Sequence, residues 1–257
     1  MTAPPISAVI FDWGGTLAEF VSTDDIDVWL HAGQRMAEVV DDRVLADALG
    51  PVDDHATAIR NELYAAEMRF WDRVRTHRRS ARLTEIVADA ATALGLVGVD
   101  EHLDHIAAGH LDAWDPHITH FPDVLPALEA LRERGVRVGL LSNTHWPGEF
   151  HDALLARDGL VHLIDARVYS SDLAFLKPHR AAFEAALAAV GVDEPARVVF
   201  VGDRPYDDIS GAKAAGMRAV LRPNLHVEAH DVEPDAVVDD LLALVDHLDR
   251  WGIDPIG

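Results

Sequence analysis

Ala8-Val9-Ile10-Phe11-Asp12-Trp13-Gly14-Gly15-Thr16-Leu17 decides the fold: four apolar residues run into an aspartate, and paired glycines follow. A short continuous apolar run of this kind suits a strand covered on both faces. The loop beyond the carboxyl end of such a strand is where open α/β sheets place their chemistry. Asp12 is therefore the first residue that needs a role.

Downstream, the strand and helix alternation does not resume at once. Residues 24–113 read as successive helices with no convincing strand. Trp29, Met36, Val39 and Val40 mark one apolar face, and Leu63, Ala66, Phe70, Trp71 and Val74 mark another at helical spacing; Ala81 to Leu94 and Glu101 to Trp114 continue the pattern. From Pro122 the character changes. A helix from Val124 to Arg134 stops at Gly135, and Val136 to Asn143 follows as a strand. Helical stretches at Phe150 to Arg157 and Arg180 to Val190 flank a short strand at Ala166 to Tyr169. Arg197 to Asp203 makes a further strand, and Met217 to Leu221 the last expected one. The expectation is an α/β protein: a three-layer, Rossmann-like parallel-sheet core from residues 1–20 and 116–257, with a helical cap of residues 21–115 inserted after the first strand.

Composition bounds the function. The 257 residues are 49% hydrophobic and 26% charged, enough for a substantial core. No stretch approaches the roughly 18 apolar residues of a membrane helix. Met1-Thr2-Ala3-Pro4-Pro5 lacks the basic region of a secretory leader, so a cytoplasmic location is expected. The chain has no cysteine, which removes disulfides, thiolate catalysis and cysteine-ligated zinc. Lysine plus arginine is 22 against 44 for aspartate plus glutamate, and the net charge of −22 opposes nucleic acid and anionic membrane as partners. Lys177 and Lys213 are the only lysines.

Four polar stations lie along the core: Asp12 after the first strand, Ser142-Asn143 after the second, Lys177-Pro178 before a helix, and Gly202-Asp203-Arg204-Pro205-Tyr206-Asp207-Asp208 after a later strand. Singly, each fits a cap, a turn or a helix entrance. As an ordered set they resemble the haloacid dehalogenase superfamily of hydrolases, from Val9 to Leu221, with the helical segment similar to its inserted cap.

That resemblance implies a phosphatase acting on a small phosphorylated substrate, with Asp12 as nucleophile forming an aspartyl-phosphate. Lys177 would neutralise charge on nucleophile and phosphoryl group. Ser142, with Asn143, Gly15 and Thr16, would hold the phosphoryl oxygens. Mg²⁺, a hard cation that prefers oxygen, would sit on Asp12, the Gly14 carbonyl, Asp203 and Asp208, with Asp207 as the second choice for the last ligand. The helical cap would close over the substrate and exclude water.

One position departs from the pattern. Family phosphatases commonly carry a second aspartate two residues after the nucleophile as general acid and base, and here that position is Gly14. Glu19 and His145 are the candidate replacement proton carriers. A slow phosphatase, or one confined to good leaving groups, follows; the alternative is a non-catalytic phosphate-ligand binding or regulatory protein. Two other branches fit less well. A phosphonate hydrolase needs a cap lysine, and none precedes Lys177; the dehalogenase branch carries a tyrosine at the Gly14 position and needs no acidic metal cluster. Within the cap, the arginine-rich run Arg73 to Arg82 suggests an anion contact or a solvated helix end, and His110, His117 and His120 suggest a hinge or a histidine metal site.

Overall fold

The computed structural model describes residues 4–20, 27–50 and 54–255. The expected start of the helical insert at residue 21, and Met1, Thr2 and Ala3 of the N-terminus, lie outside the described residues. In chain order the elements are β1 (Ala8–Phe11), β2 (Ala18–Phe20), α1 (Leu30–Val39), α2 (Asp42–Leu49), α3 (His55–His77), α4 (Leu83–Leu94), α5 (Leu103–Trp114), β3 (Ile118–His120), α6 (Val124–Glu133) and β4 (Arg137–Ser142). They continue as α7 (Gly148–Arg157), β5 (Ala166–Tyr169), α8 (Arg180–Val190), β6 (Val198–Gly202), α9 (Gly211–Ala214), β7 (Arg218–Leu221), β8 (Ala236–Val237) and α10 (Leu241–Trp251). No helix among the described residues is long and apolar enough to cross a membrane.

The chain divides into two compact units. The first comprises Met1–Glu19, Thr119–Thr144 and Gly148–Gly257. Its six-stranded sheet runs β5-β4-β1-β6-β7-β8, all pairs parallel, with β1 central between β4 and β6. Every residue of β1 and β6 is buried, as expected of strands covered on both faces. Ile10, Leu141, Phe183, Val190 and Phe200 share one core cluster, in which the Phe183 and Phe200 rings meet edge to face at 5.2 Å. The sheet exceeds the expectation by one strand: β8 follows Met217 to Leu221. It has only two residues, too few to show a period-two pattern.

The second unit comprises Phe20–Ile118 together with His145–Pro147. It is helical, with α3 packed on α1 and α4, and α1 on α5. Ile59, Leu63, Ala66, Phe70 and Val74 form the buried stripe of α3, at the three- and four-residue spacing that puts side chains on one helix face. The short helix α2 was not legible, since only Leu45 of it is buried. In the arginine-rich run, Arg75 pairs with Asp72 at 3.1 Å and Arg73 approaches Asp89 at 4.0 Å.

His110 lies inside this unit, 1% exposed. Its Nδ1 faces the Val28 carbonyl at 3.0 Å, and its Nε2 accepts from Trp114 Nε1 at 3.1 Å. Burial, reinforced by the neighbouring His145, holds its pKa well below the usual imidazole range. The unfolded chain therefore binds a proton that the folded chain refuses, so stability should fall as pH drops through the ordinary histidine pKa of about 6.5. Thermal unfolding compared at neutral and mildly acidic pH checks this. A His110→Asn variant should show a flatter pH dependence over that window; an unchanged profile would mean that His110 does not set it.

Candidate active site

Asp12, Ser142 and Asp203 stand at or just beyond the carboxyl ends of β1, β4 and β6, three adjacent parallel strands, so the register of the sheet brings them to one edge. Asp12 is 5% exposed, Ser142 3% and Asp203 2%. Lys177 reaches the same place from the loop before α8, and its Nζ lies 2.5 Å from Asp12 Oδ1 and 2.7 Å from Asp208 Oδ1. Ligand atoms of Asp12, Asp203 and Asp208 all lie within 4.8 Å of one another.

The loop after β1 is shaped around this cluster. Gly15 has φ of 84°, and a Cβ on it would stand 2.1 Å from Asp203 Oδ2, so only glycine fits there. Its N–H donates to the Ala18 carbonyl at 2.7 Å, and the Thr16 hydroxyl donates to Asp12 Oδ2 at 3.4 Å. Beyond β6 the chain winds through a π-helical turn, Pro205–Ser210, which carries Asp208 inward. Asp208 Oδ2 accepts from the Arg204 N–H at 2.9 Å, and a side chain on Gly202 would overlap the Asp208 carboxylate. Asp207 is not part of the convergent set; its Oδ2 stands 3.8 Å from Arg204 Nη1.

Asn143 takes a different part from the expected one. Its side-chain Nδ2 donates to the Lys177 carbonyl at 2.9 Å and its Oδ1 accepts from the Lys177 N–H at 2.8 Å. The amide is thus spent on fixing the Lys177 backbone. Asn224 was not anticipated: its Nδ2 donates to Asp203 Oδ2 at 2.8 Å. Its signal in the sequence was a polar residue shortly beyond a strand end, a weak one.

Glu19 is exposed on β2, where it accepts a 3.5 Å hydrogen bond from Thr119. His145 belongs to the helical unit, 3.5 Å from Glu67. The three histidines considered together in the sequence do not converge among the described residues. His110 meets Glu67 and His145, whereas His120 Nδ1 meets Asp158 Oδ2 at 2.6 Å and its Nε2 accepts from Trp13 Nε1 at 3.2 Å.

Electrostatically the cluster has an excess of negative charge. Burial is the main cause that pushes the Asp203 carboxyl up to about 6, and the Asp12 charge adds to it. Burial likewise pushes Asp208 up to about 7, against the pull of Lys177. Lys177 is raised above its ordinary value: the Asp12 and Asp208 carboxylates outweigh burial, the largest single influence on it, which acts to lower it. Asp203 Oδ1 is buried and accepts no hydrogen bond among the described residues. An all-oxygen donor set with surplus negative charge and an orphaned inward carboxylate oxygen fits a hard divalent cation such as Mg²⁺.

The profile of the haloacid dehalogenase-like hydrolases matches residues 6–216. A glyceraldehyde 3-phosphate phosphatase of Methanothermobacter thermautotrophicus is 34% identical over 131 residues, covering 48% of this chain and 56% of that protein. The chain spans about half the length of this and several other curated relatives it matches. A phosphoglycolate phosphatase of Rhodospirillum rubrum is 29% identical over 96% of both chains. Among solved structures, a 2-haloacid dehalogenase from Pseudomonas syringae pv. Tomato superposes with a TM-score of 0.64 at 27% identity, over 96% of this chain and 100% of that one. With the family profile running from before the β1 aspartate to beyond the Asp208 turn, the chain belongs to the haloacid dehalogenase-like hydrolases.

Proposed function

We propose that the protein is a phosphatase that hydrolyses a small phosphorylated metabolite through an aspartyl-phosphate on Asp12, with Mg²⁺ as cofactor. The observation that carries the reading is the buried Lys177 ammonium, 2.5 Å from Asp12 Oδ1, set among three carboxylates. Two relatives bear phosphatase names, and the acidic cluster favours that chemistry over the dehalogenation named for the structural neighbour.

In this reading an Asp12 carboxylate oxygen forms a bond to phosphorus as the ester P–O bond breaks, and the leaving alkoxide takes a proton from solvent water. Water then attacks the phosphorus of the acyl phosphate, releasing inorganic phosphate and the free carboxylate. Lys177 stays charged throughout and offsets the negative charge of the nucleophile and the phosphoryl oxygens. Ser142 donates to those oxygens. Asn143 acts by holding the Lys177 backbone, and Asn224 by orienting Asp203. Asp12, Asp203, Asp208 and the Gly14 carbonyl would hold Mg²⁺, which when bound neutralises phosphoryl charge. Gly14 offers no side chain for proton transfer, so the first step leans on the leaving group and the second on unassisted water.

Phosphate release across a panel of phosphorylated metabolites and one activated aryl phosphate, with and without Mg²⁺, tests this. Asp12→Asn should lower turnover by about 10⁴-fold or more, as removal of a covalent nucleophile does. Absence of Asp12-dependent release from every compound would favour the phosphate-binding alternative, for which Gly14 is the motivating observation.

A further inference from the structure

We infer that the helical unit holds a second metal site, a buried two-histidine, one-carboxylate site for a divalent transition ion such as Zn²⁺, formed by Glu67, His110 and His145. One ligand atom from each lies within 4.8 Å of the other two. The three come from α3, α5 and the segment His145–Pro147, so their convergence is tertiary and not a helix-periodic accident.

Three features set this cluster apart from an ordinary buried polar network. The first is the state of His110. A carbonyl can only accept, so the 3.0 Å contact with the Val28 carbonyl places the proton on Nδ1 and leaves the Nε2 lone pair for a ligand. A ligating histidine anchored through its other nitrogen to a backbone carbonyl is the usual supporting arrangement of metal sites. At present that lone pair accepts from Trp114 Nε1 at 3.1 Å, and the indole would have to yield it to the ion.

The second feature is charge. Glu67 accepts from Trp29 Nε1 at 2.8 Å and from Trp71, and His145 Nε2 stands 3.5 Å from its Oε1. Among the described residues its partners include no lysine or arginine, although its side chain is only 15% exposed. A bound cation would complete the compensation that a buried carboxylate requires.

The third feature is the donor set and its setting. Two imidazole nitrogens and one carboxylate oxygen suit Zn²⁺ or Co²⁺ and suit Mg²⁺ poorly, in contrast to the all-oxygen cluster of the other unit. With metal–ligand bonds of about 2.0–2.1 Å, ligand atoms of a tetrahedral site stand roughly 3.3 Å apart, so a modest inward contraction suffices. Trp29 lies over His110 with centroids 3.9 Å apart, and Phe70 and Trp71 flank His145 at 5.5 and 5.6 Å. This aromatic wall lowers the local dielectric and strengthens ion–ligand attraction. The fourth position is left to water, and the ion would tie three separate segments of the helical unit together.

The test uses the full chain, stripped with chelator and then held in millimolar Mg²⁺ to occupy the acidic cluster. It is titrated with Co²⁺, read by visible absorption, and with Zn²⁺, read by calorimetry. The expected result is one equivalent bound tighter than about 10 µM, with the Co²⁺ absorption of a four- or five-coordinate ion and a higher melting temperature with Zn²⁺. Glu67→Gln and His145→Gln should each weaken binding by more than about 100-fold, whereas Asp203→Asn should not. If Glu67→Gln does not fold, His145→Gln, on the loop after β4, decides. Absence of saturable binding in the wild type, or binding abolished by Asp203→Asn and retained in His145→Gln, overturns the inference. Phosphatase activity enters none of these readouts, so they stand apart from the function proposed above.

Discussion

Lys177→Met is expected to lose both catalysis and a large part of the stability. The wild-type ammonium is buried against two carboxylates, at 2.5 Å from Asp12 and 2.7 Å from Asp208. It also lies 5.3 Å from the Phe200 ring centroid, on the central strand β6. Methionine fills the volume of the stem but leaves two buried carboxylates without their cation. Removing one partner of a buried ion pair costs about 3–5 kcal/mol. At roughly 2–4 °C per kcal/mol, the melting temperature should drop by roughly 6–20 °C. Part of the charge strain is relieved by proton uptake at the carboxylates, and Mg²⁺ should restore part of the rest. Turnover should fall by about 10²–10³-fold or more, the scale of losing one electrostatic stabiliser of the transition state. Melting curves with and without Mg²⁺, beside kcat/KM, report both effects. Wild-type turnover in this variant would remove Lys177 from the mechanism.

The second large effect should be a gain. Gly14→Asp places a carboxyl where related phosphatases carry their proton-transfer residue. General acid–base assistance is worth about 10²–10⁴-fold, and that is the expected rise in kcat for an ester with a poor, alkoxide leaving group. For an activated aryl phosphate the first step needs no acid, so the gain there should be confined to the hydrolysis of the acyl phosphate. The backbone permits the change, because the left-handed conformation in this loop falls on Gly15 and not on Gly14. A folded Gly14→Asp enzyme that gains nothing on an alkyl phosphate would show that the missing acid is not what limits turnover.

Much of this site was legible before the structure, for a physical reason. Parallel strands buried on both faces read as short apolar runs, and the residue that ends each run lands at the same sheet edge. Asp12, Ser142 and Asp203 could therefore be placed together without any contact being known. The order of preference between Asp207 and Asp208 came from the family resemblance, whose Gly-Asp-x-x-x-x-Asp pattern Asp208 fits. Asp208 lies inside the π-helical turn Pro205–Ser210, where the Ile209 N–H reaches back five residues to the Arg204 carbonyl at 3.3 Å, a pairing that an α-helical reading of the stretch does not contain.

Elsewhere sequence spacing carried less. Asn143 sits beside Ser142, to which the resemblance assigns phosphoryl binding, yet its amide is held by the Lys177 backbone 34 residues away, a pairing that only the tertiary fold creates. Glu67 left a local trace: it falls among Leu63, Ala66 and Phe70 on the inward stripe of α3, where a carboxylate needs a partner. Its partners His110 and His145 lie far along the chain, and no periodicity connects them. The strand β8 was too short to be seen, and α10, although strongly amphipathic, follows an irregular acidic stretch after the last expected strand.

Covalent chemistry at Asp12 is the step on which the proposed activity rests. With an activated aryl phosphate, phosphorylation should be fast and unassisted hydrolysis slow. Rapid mixing is then predicted to give a burst of phenolate equal to the enzyme concentration, with the phosphoryl group recovered by acid quench on the peptide that contains Asp12. Phosphate release that persists in Asp12→Asn, with no phosphoryl group on that peptide in the wild type, would contradict it.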